Sequence, residues 1–325
     1  MAKKVSTSYH PLFSLIVPTY HREEPLRLTL KALLSQTYAN LEIIVVDQTE
    51  EHEEETLRFF EEAAHKLRVI TQKKPNLPAA RNTGIAAANG EIVAFLDDDC
   101  LVEADYVVRI VSHYRDSLVD ALVAGVVADR RGIQTATQEL KQKYGFTAEE
   151  MHKARIEVPQ IKPIAMLTAR RSVFARVGDY DEFLGVLTPN ASAEDLDYYV
   201  RCARAGVKVF VDPKLKIEHL SHIPGGCGAR AQFASVVREA HFLAGTYVIL
   251  KHRSLGALGF LKALGQIYRG YVLPQRLYGF RALAKTHLDA ISVLRKALGA
   301  LDGHLTPGHK TGPMEITIGK SPDAL

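Results

Sequence analysis

The chain has 325 residues, 47% apolar and 24% charged, which fits one large domain with an appendage and excludes disorder except at the two ends. Its net charge of +4 is unevenly spread: residues 230–310 carry twelve Lys and Arg against three acids, and residues 1–229 carry twenty-eight against thirty-two. The C-terminal part is therefore expected to meet something anionic, and the three scattered cysteines, Cys100, Cys202 and Cys227, exclude a disulfide framework or a CxxC zinc site.

No apolar stretch follows Met1–His10, so no secretory signal is expected. The longest nearly apolar runs, 118–128 and 242–250, are too short to span a bilayer. A cytoplasmic protein is expected, at most peripheral at the inner face of the cell membrane.

Residues 13–17 (FSLIV) read as a buried parallel strand stopped by Pro18. A helix follows over 25–36, with Leu26, Leu30, Leu33 and Leu34 on one face. Residues 42–47 (EIIVVD) form a second buried strand, 50–66 an acidic amphipathic helix and 68–71 a short third strand. Residues 78–89 predict a helix closed by Gly90, a C-terminal stop signal. Residues 91–96 (EIVAFL) form a fourth strand that runs straight into Asp97-Asp98-Asp99. A helix near 103–116 and a strand over 121–128 follow. Repeated βα units of this size imply a mostly parallel sheet flanked by helices on both faces.

The second half is less regular. Residues 129–160 are polar and read as an excursion that covers an acceptor site. Residues 164–169 read as a strand, 193–205 as a helix ended by Gly206, and 207–211 as a strand. Beyond His219 the pattern is helical to about 301, and the last twenty residues read as a loose tail.

In an open parallel sheet, ligands bind beyond the carboxyl ends of the strands. Asp47 ends the second strand there, and Asp97 to Asp99 end the fourth. Three adjacent aspartates repel one another, so a divalent cation with a diphosphate suits that position. They also read as a solvated turn capping the next helix. Asp47 reads either as a turn residue or as an acceptor for the imide of uracil or thymine. Ser192-Ala193-Glu194-Asp195 reads as a helix cap, and equally as a carboxylate placed to act as general base. Asp197 faces elsewhere and receives no catalytic role. His219 is a candidate metal ligand or phosphate contact, and Arg81 and Arg230 are candidate phosphate clamps.

In this order the pieces resemble the glycosyltransferase family 2 domain, which has the GT-A fold. The matching stretches are Val17-Pro18-Thr19-Tyr20, SQTYANLEIIVVD ending at Asp47, ARNTGIAAANGEIVAFLDDD ending at Asp99, VGDYDEFLG from Val177 and AEDLDYYVRCARAG from Ala193. The resemblance implies an α/β GT-A catalytic domain over 12–222, after an N-terminal tail (1–11) and before a basic helical region (223–305) and a flexible tail (306–325). It implies that Pro18, Thr19, Tyr20 and Asp47 line the base pocket and that Arg81 approaches the nucleotide. It places Asp97 and Asp98 against ribose and phosphates, and Asp99 with His219 on Mg²⁺ or Mn²⁺. Asp195, with Glu194 beside it, matches the general base of an inverting single displacement.

Two departures lie on the nucleotide side. Family members often show Asp-Asp-Gly-Ser after the second strand, where this chain has Asp47-Gln48-Thr49-Glu50, and Asn where His21 stands. They leave the donor base and sugar open: a UDP-sugar is expected first, then dTDP, then GDP. The acceptor is expected to be a glycan or lipid-linked glycan in envelope or exopolysaccharide assembly, and no nucleic acid is expected as a partner. Residues 258–301 mix apolar residues with Lys and Arg. They read either as a helical pair packed on the catalytic domain or as a segment for an anionic membrane surface. A nucleotidyltransferase would need a Gly-rich basic loop after the first strand, and a dehydrogenase GxGxxG; neither is present. A catalytically dead scaffold would show erosion at Asp97, Asp99 and Asp195, which all stand.

Overall fold

A computed structural model describes residues 9–115, 117–129, 167–187, 193–220 and 316–318, together with Ala244, Tyr247, Val248, Lys251 and His252. The first half alternates β1 (Phe13–Thr19), α1 (Glu24–Leu34), β2 (Leu41–Asp47), α2 (Glu54–Ala63), β3 (Leu67–Gln72), α3 (Leu77–Ala87) and β4 (Ile92–Phe95). Then come β5 (Cys100–Val102), α4 (Tyr106–His113), β6 (Ala121–Asp129), β7 (Leu167–Arg170), α5 (Arg171–Val177), α6 (Glu182–Leu187), α7 (Glu194–Arg204), β8 (Val209–His219) and β9 (Ile316–Ile318).

The strands form one sheet in the order β5-β8-β6-β7-β4-β1-β2-β3-β9. Strands β1 to β4, β6 and β8 run one way, and β5, β7 and β9 run against them. The sheet is thus mostly parallel, as the βα rhythm implied. Its two faces carry separate cores. Phe13, Leu15 and Val17 pack with Leu26, Leu30 and Leu33 of α1 and Val107 and Ile110 of α4. Ile16 points the other way, into a core with Ala80 of α3, Phe174 of α5 and Tyr198 and Cys202 of α7. Side chains that alternate across a doubly covered strand explain why β1 is apolar throughout.

Four boundaries differ from the sequence reading. β1 continues through Pro18 to Thr19. Ile16 faces β4, since its carbonyl accepts from Leu96 N–H, and Pro18, two residues on, faces the same way. The β1–β4 ladder ends at Ile16↔Phe95, so the missing N–H of Pro18 breaks no ladder bond. The acidic helix α2 is shorter than expected, because residues 48–53 turn back to bond the end of β2. Gly90 is not a helix stop: α3 ends at Ala87, and a Cβ on Gly90 would lie 2.5 Å from Ser14 Oγ and 2.7 Å from Ser14 N. It is glycine because two backbones approach there. After the three aspartates the chain forms β5 before α4, a strand too short to show periodicity.

Of the remaining expectations, the stop at Gly206 stands, while the extent of the strand after it and the looseness of the whole tail are corrected. Gly206 follows α7 with φ +65, the left-handed stop that the pattern suggested. Strand β8 runs well past Val211, to His219. Residues 316–318 of the expected loose tail pair antiparallel with β3, covering N–H and C=O groups that an edge strand leaves open. The expected acceptor excursion over 130–160, Arg230, and the basic segment over 258–301 lie outside the described residues.

Candidate active site

The acidic turn follows directly from the topology. β4 delivers Asp97, Asp98 and Asp99 beyond its carboxyl end, and the chain returns as β5. β5 pairs antiparallel with β8, which sets Cys100 opposite His219, and Leu220 N–H donates to the Asp99 carbonyl at 2.8 Å. His219 Nε2 thereby reaches 3.3 Å from Asp99 Oδ1. Donor atoms of Asp97, Cys100 and His219 all lie within 4.8 Å of one another.

Two side chains of the β1 end brace this turn. Thr19 donates through Oγ1 to Asp98 Oδ2 at 2.7 Å. Arg22, buried, donates from Nη2 to Asp99 Oδ2 at 3.2 Å, and its Nε lies 3.6 Å from Asp98 Oδ1. Burial pushes the Asp98 carboxyl up to about 7 against the pull of Arg22, with Asp99 adding to the rise. Burial also raises Asp97, which Arg81 and His219 pull down and Asp99 and Asp195 push up. Burial is the largest cause at both carboxyls, so their enclosure disfavours the charged forms. Burial and the three aspartates keep the Cys100 thiol protonated, so it is a poor donor. Asp97 and His219 remain of that group, and Asp99 Oδ1 lies against His219 Nε2, an oxygen and nitrogen chemistry that fits a divalent cation of the Mg²⁺ or Mn²⁺ kind.

Nearby, α7 opens with Glu194 and Asp195 in its first turn, behind Ala193 at φ +65, and the Asp195 charge acts on Asp97. A side chain in the left-handed region is strained, and such strain concentrates at functional positions. Arg81 of α3 donates from Nη1 to Asp195 Oδ1 at 2.8 Å and to Glu194 Oε1 at 3.2 Å. Its guanidinium also lies over the rings of Tyr180 (5.2 Å) and Phe95 (5.8 Å). Burial favours loss of its proton, but Asp195 and Glu194 more than offset this and its pKa is raised. Burial and the neighbouring Asp195 push Glu194 up to about 7. The Asp195 side chain keeps 22% of its surface exposed and that of Glu194 8%, so Asp195 is the more accessible carboxylate of the two. Arg81 was expected to approach the nucleotide; its guanidinium is engaged by this acidic pair.

On the nucleotide side, the β1–β2 register sets Pro18 beside Val46 and Thr19 beside Asp47. Tyr20 is half-buried and lies 4.2 Å from the His21 ring. Asp47 is buried, accepting from Thr49 N–H at 3.0 Å and meeting His52 Nε2 at 2.9 Å. Both departures from the family pattern have local reasons. His21 has φ +49, a conformation Asn tolerates well. Gln48 is buried, donating to the Thr19 carbonyl and accepting from Gln72 and from Asn76 N–H, so it ties β1, β2 and β3 to the α3 N-cap.

Asp197 faces elsewhere, as its spacing implied. It is fully buried, and Arg201 Nε, Lys251 Nζ and His252 Nε2 all reach it, at 2.9, 2.8 and 2.8 Å. Lys251 also bridges to Asp181 at 2.7 Å. This cluster fastens Lys251 and His252 to the helix that carries Asp195.

With this geometry in view, known proteins match in sequence and in fold. Residues 14–177, half of the chain, match the model of "Glycosyl transferase family 2". The chain belongs to glycosyltransferase family 2. Glycosyltransferase AglE of Haloferax volcanii is 30% identical over 204 residues, 62% of this chain and 64% of that one. The UDP-Glc:alpha-D-GlcNAc-diphosphoundecaprenol beta-1,3-glucosyltransferase WfgD of Escherichia coli is 33% identical over 89 residues, 27% of this chain and 35% of that one. The first curated relatives are matched over 14%, 28% and 64% of their own length, less than two thirds in each case. Among solved structures, a mannosyltransferase from Pyrobaculum calidifontis in complex with GDP-Man and Mn²⁺ aligns over 93% of this chain and 77% of its own, with TM-score 0.55 and 19% identity. That likeness establishes the GT-A fold.

Sequence reasoning missed Arg22, His52 and the partners of Asp197. Arg201 stands at i+4 from Asp197 on the same helix, a spacing the sequence does offer, whereas Arg22 and His52 sit in loops and Lys251 and His252 lie far along the chain. No helix among the described residues is long and apolar enough to cross a membrane.

Proposed function

We propose that this family 2 protein is an inverting, metal-dependent glycosyltransferase that moves a sugar from a nucleoside-diphosphate donor to an acceptor hydroxyl in glycan assembly. The observation that carries the reading is the closeness of two acidic sets: Asp97 and Asp99 of the turn after β4, with His219, and Asp195 at the start of α7, whose charge acts on Asp97. Asp97, Asp99 and His219 would hold Mg²⁺ or Mn²⁺, and the ion would neutralise charge on the leaving diphosphate. Pro18, Thr19, Tyr20 and Asp47 line the space for the base, and Asp98, anchored by Thr19, lies towards the ribose and phosphates. Asp195 removes the acceptor proton as the oxygen attacks the anomeric carbon opposite the diphosphate, so one displacement inverts the centre. Arg81 keeps Asp195 oriented, and Glu194 shares its charge.

A UDP-sugar is the first donor to test, with dTDP and GDP after it. WfgD is named for UDP-Glc and the Pyrobaculum enzyme was solved with GDP-Man, so both chemistries occur among similar proteins. The thermal midpoint with Mn²⁺ and each of UDP, dTDP, GDP, CDP and ADP tests the reading. One diphosphate should raise it by about 5 °C at a hundredfold excess over Kd. The shift should require metal and vanish in Asp99→Ala; no shift with any of the five would overturn the donor assignment.

A lipid-linked acceptor would follow if residues 258–301 meet an anionic membrane from the cytoplasmic side. The full chain should then sediment with phosphatidylglycerol vesicles, and a chain ending at residue 257 should not. Equal sedimentation of the two would remove the membrane reading.

A further inference from the structure

The loop after β2 holds a buried histidine that the proposed chemistry does not use. His52 Nε2 lies 2.9 Å from Asp47 Oδ2, and its Nδ1 lies 2.9 Å from Glu23 Oε1. Its side chain is 5% exposed, with the edge of Phe60 packed against the ring at 5.5 Å. Carboxylate oxygens only accept, so both ring nitrogens donate only when the imidazole carries its second proton. Burial opposes that charge, and the hydrogen bonds and charges of Asp47 and Glu23 overcome it, so the His52 pKa is raised above its ordinary value.

The support continues outward. Thr56 at the start of α2 donates to the second oxygen of Glu23 and accepts from Arg27 Nη1 at 2.6 Å. Arg27 is itself paired with Glu55 at 2.9 Å and Glu53 at 3.6 Å. Asp47 and Glu23 are thus the charged groups against the ring, and Arg27, Glu53 and Glu55 lie one step further. His21 N–H donates to Thr49 Oγ1 and Gln48 N–H to the Thr19 carbonyl, so the two loops framing the strand ends are bonded at several points. Asp47 sits where both loops meet.

We propose that His52 is a positioning residue for donor recognition: clamped between Asp47 and Glu23, it holds Asp47 as an oriented acceptor for a base that presents an imide N–H. The inference rests on the nucleoside-diphosphate reading of the site. Neutral imidazole has one N–H, so its loss of a proton leaves either Asp47 or Glu23 facing a nitrogen lone pair. Asp47 then loosens, and base affinity falls as pH rises through the His52 value. A raised histidine pKa places the competent form at and below neutral pH.

The test measures dissociation constants of UDP, dTDP and GDP, with Mn²⁺ present, from pH 6.5 to 8.5 for the wild type, His52→Ala and Glu23→Gln. The wild type should bind its preferred diphosphate less tightly at the alkaline end. His52→Ala should bind about tenfold or more weakly at every pH, as loss of a hydrogen bond to a charged group implies. Glu23→Gln is the sharper variant. Its amide oxygen can still accept from Thr56 while its NH₂ donates to His52 Nδ1, which lets the neutral ring keep its N–H on Asp47. Binding by this variant should match the wild type at pH 6.5 and show no alkaline loss to pH 8.5 beyond the change from the titration of the diphosphate itself, which is common to both proteins. A packing role for His52 would not remove that loss in Glu23→Gln. If His52→Ala fails to fold, the pH profile of Glu23→Gln alone decides. An alkaline loss retained in Glu23→Gln, or unchanged affinity in folded His52→Ala, would overturn the inference and leave the donor reading standing. No binding of any diphosphate by the wild type would take down both.

Discussion

Replacing Asp195 with asparagine lowers kcat by about 10²- to 10⁴-fold, the usual contribution of a positioned general base. The asparagine carbonyl can still accept from Arg81, so the 2.8 Å contact that orients the side chain survives. Proton-accepting power does not. Diphosphate binding, which the proposed function assigns to the turn after β4, should stay within about threefold, so the loss is expected in kcat rather than in KM for the donor. Glu194 is the competing candidate: it lies beside Asp195, and burial and the Asp195 charge hold its pKa near 7. Its enclosure argues against direct contact with an acceptor. Steady-state kinetics of Asp195→Asn and Glu194→Gln separate the two. Should Glu194→Gln be the more damaged in kcat, the base assignment moves to Glu194.

Asp197→Ala destabilises the folded protein by roughly 3–5 kcal/mol, the range for removing one partner of a buried ion pair. The carboxylate is fully buried and receives Arg201, Lys251 and His252. Arg204 Nη1 donates to His252 Nδ1 at 2.8 Å, so His252 turns its other nitrogen, carrying hydrogen, to Asp197. Without the carboxylate, Lys251 keeps only Asp181 among its described partners, and Arg201 loses its ion pair. Burial alone would raise the Asp197 pKa, but His252, Lys251 and Arg201 prevail and hold it well below the usual carboxylate range. A lowered folded pKa means that the unfolded chain binds the proton more readily. The stabilisation is therefore complete above about pH 4 and fades as pH falls through the folded value. Urea unfolding of both proteins at pH 7 measures the difference. A loss below about 1 kcal/mol would mean that the cations find other acceptors and that the cluster does not fasten Lys251 and His252.

The two variants read different parts of one helix. Asp195 and Asp197 are two residues apart in the first turn of α7, so they leave the helix in different directions. Asp195 keeps part of its surface exposed, and Asp197 is buried against Lys251 and His252. Spacing alone separated their directions in the sequence.

Much of the fold was legible for the same kind of reason. Buried parallel strands must be apolar on both faces, so β1, β2 and β4 announce themselves as continuous runs, and Asp47 and Asp97 to Asp99 stand out because each run ends on them. The order of strands and helices, the mostly parallel sheet and the acidic strand end were therefore written locally. Everything that depends on distant pairing was not. His219 belongs beside Asp99 only because β8 lies antiparallel to β5, and no local pattern records that register. Arg81 reads as a phosphate clamp until α7 brings Glu194 and Asp195 against it. Gly90 looks like a helix stop until Ser14 is found beneath it. Local propensity and periodicity decide which segments become strands and helices and which polar residues they release at their ends. Only the tertiary structure decides which of those residues meet, because side-chain charge and hydrogen bonding act across space and not along the chain.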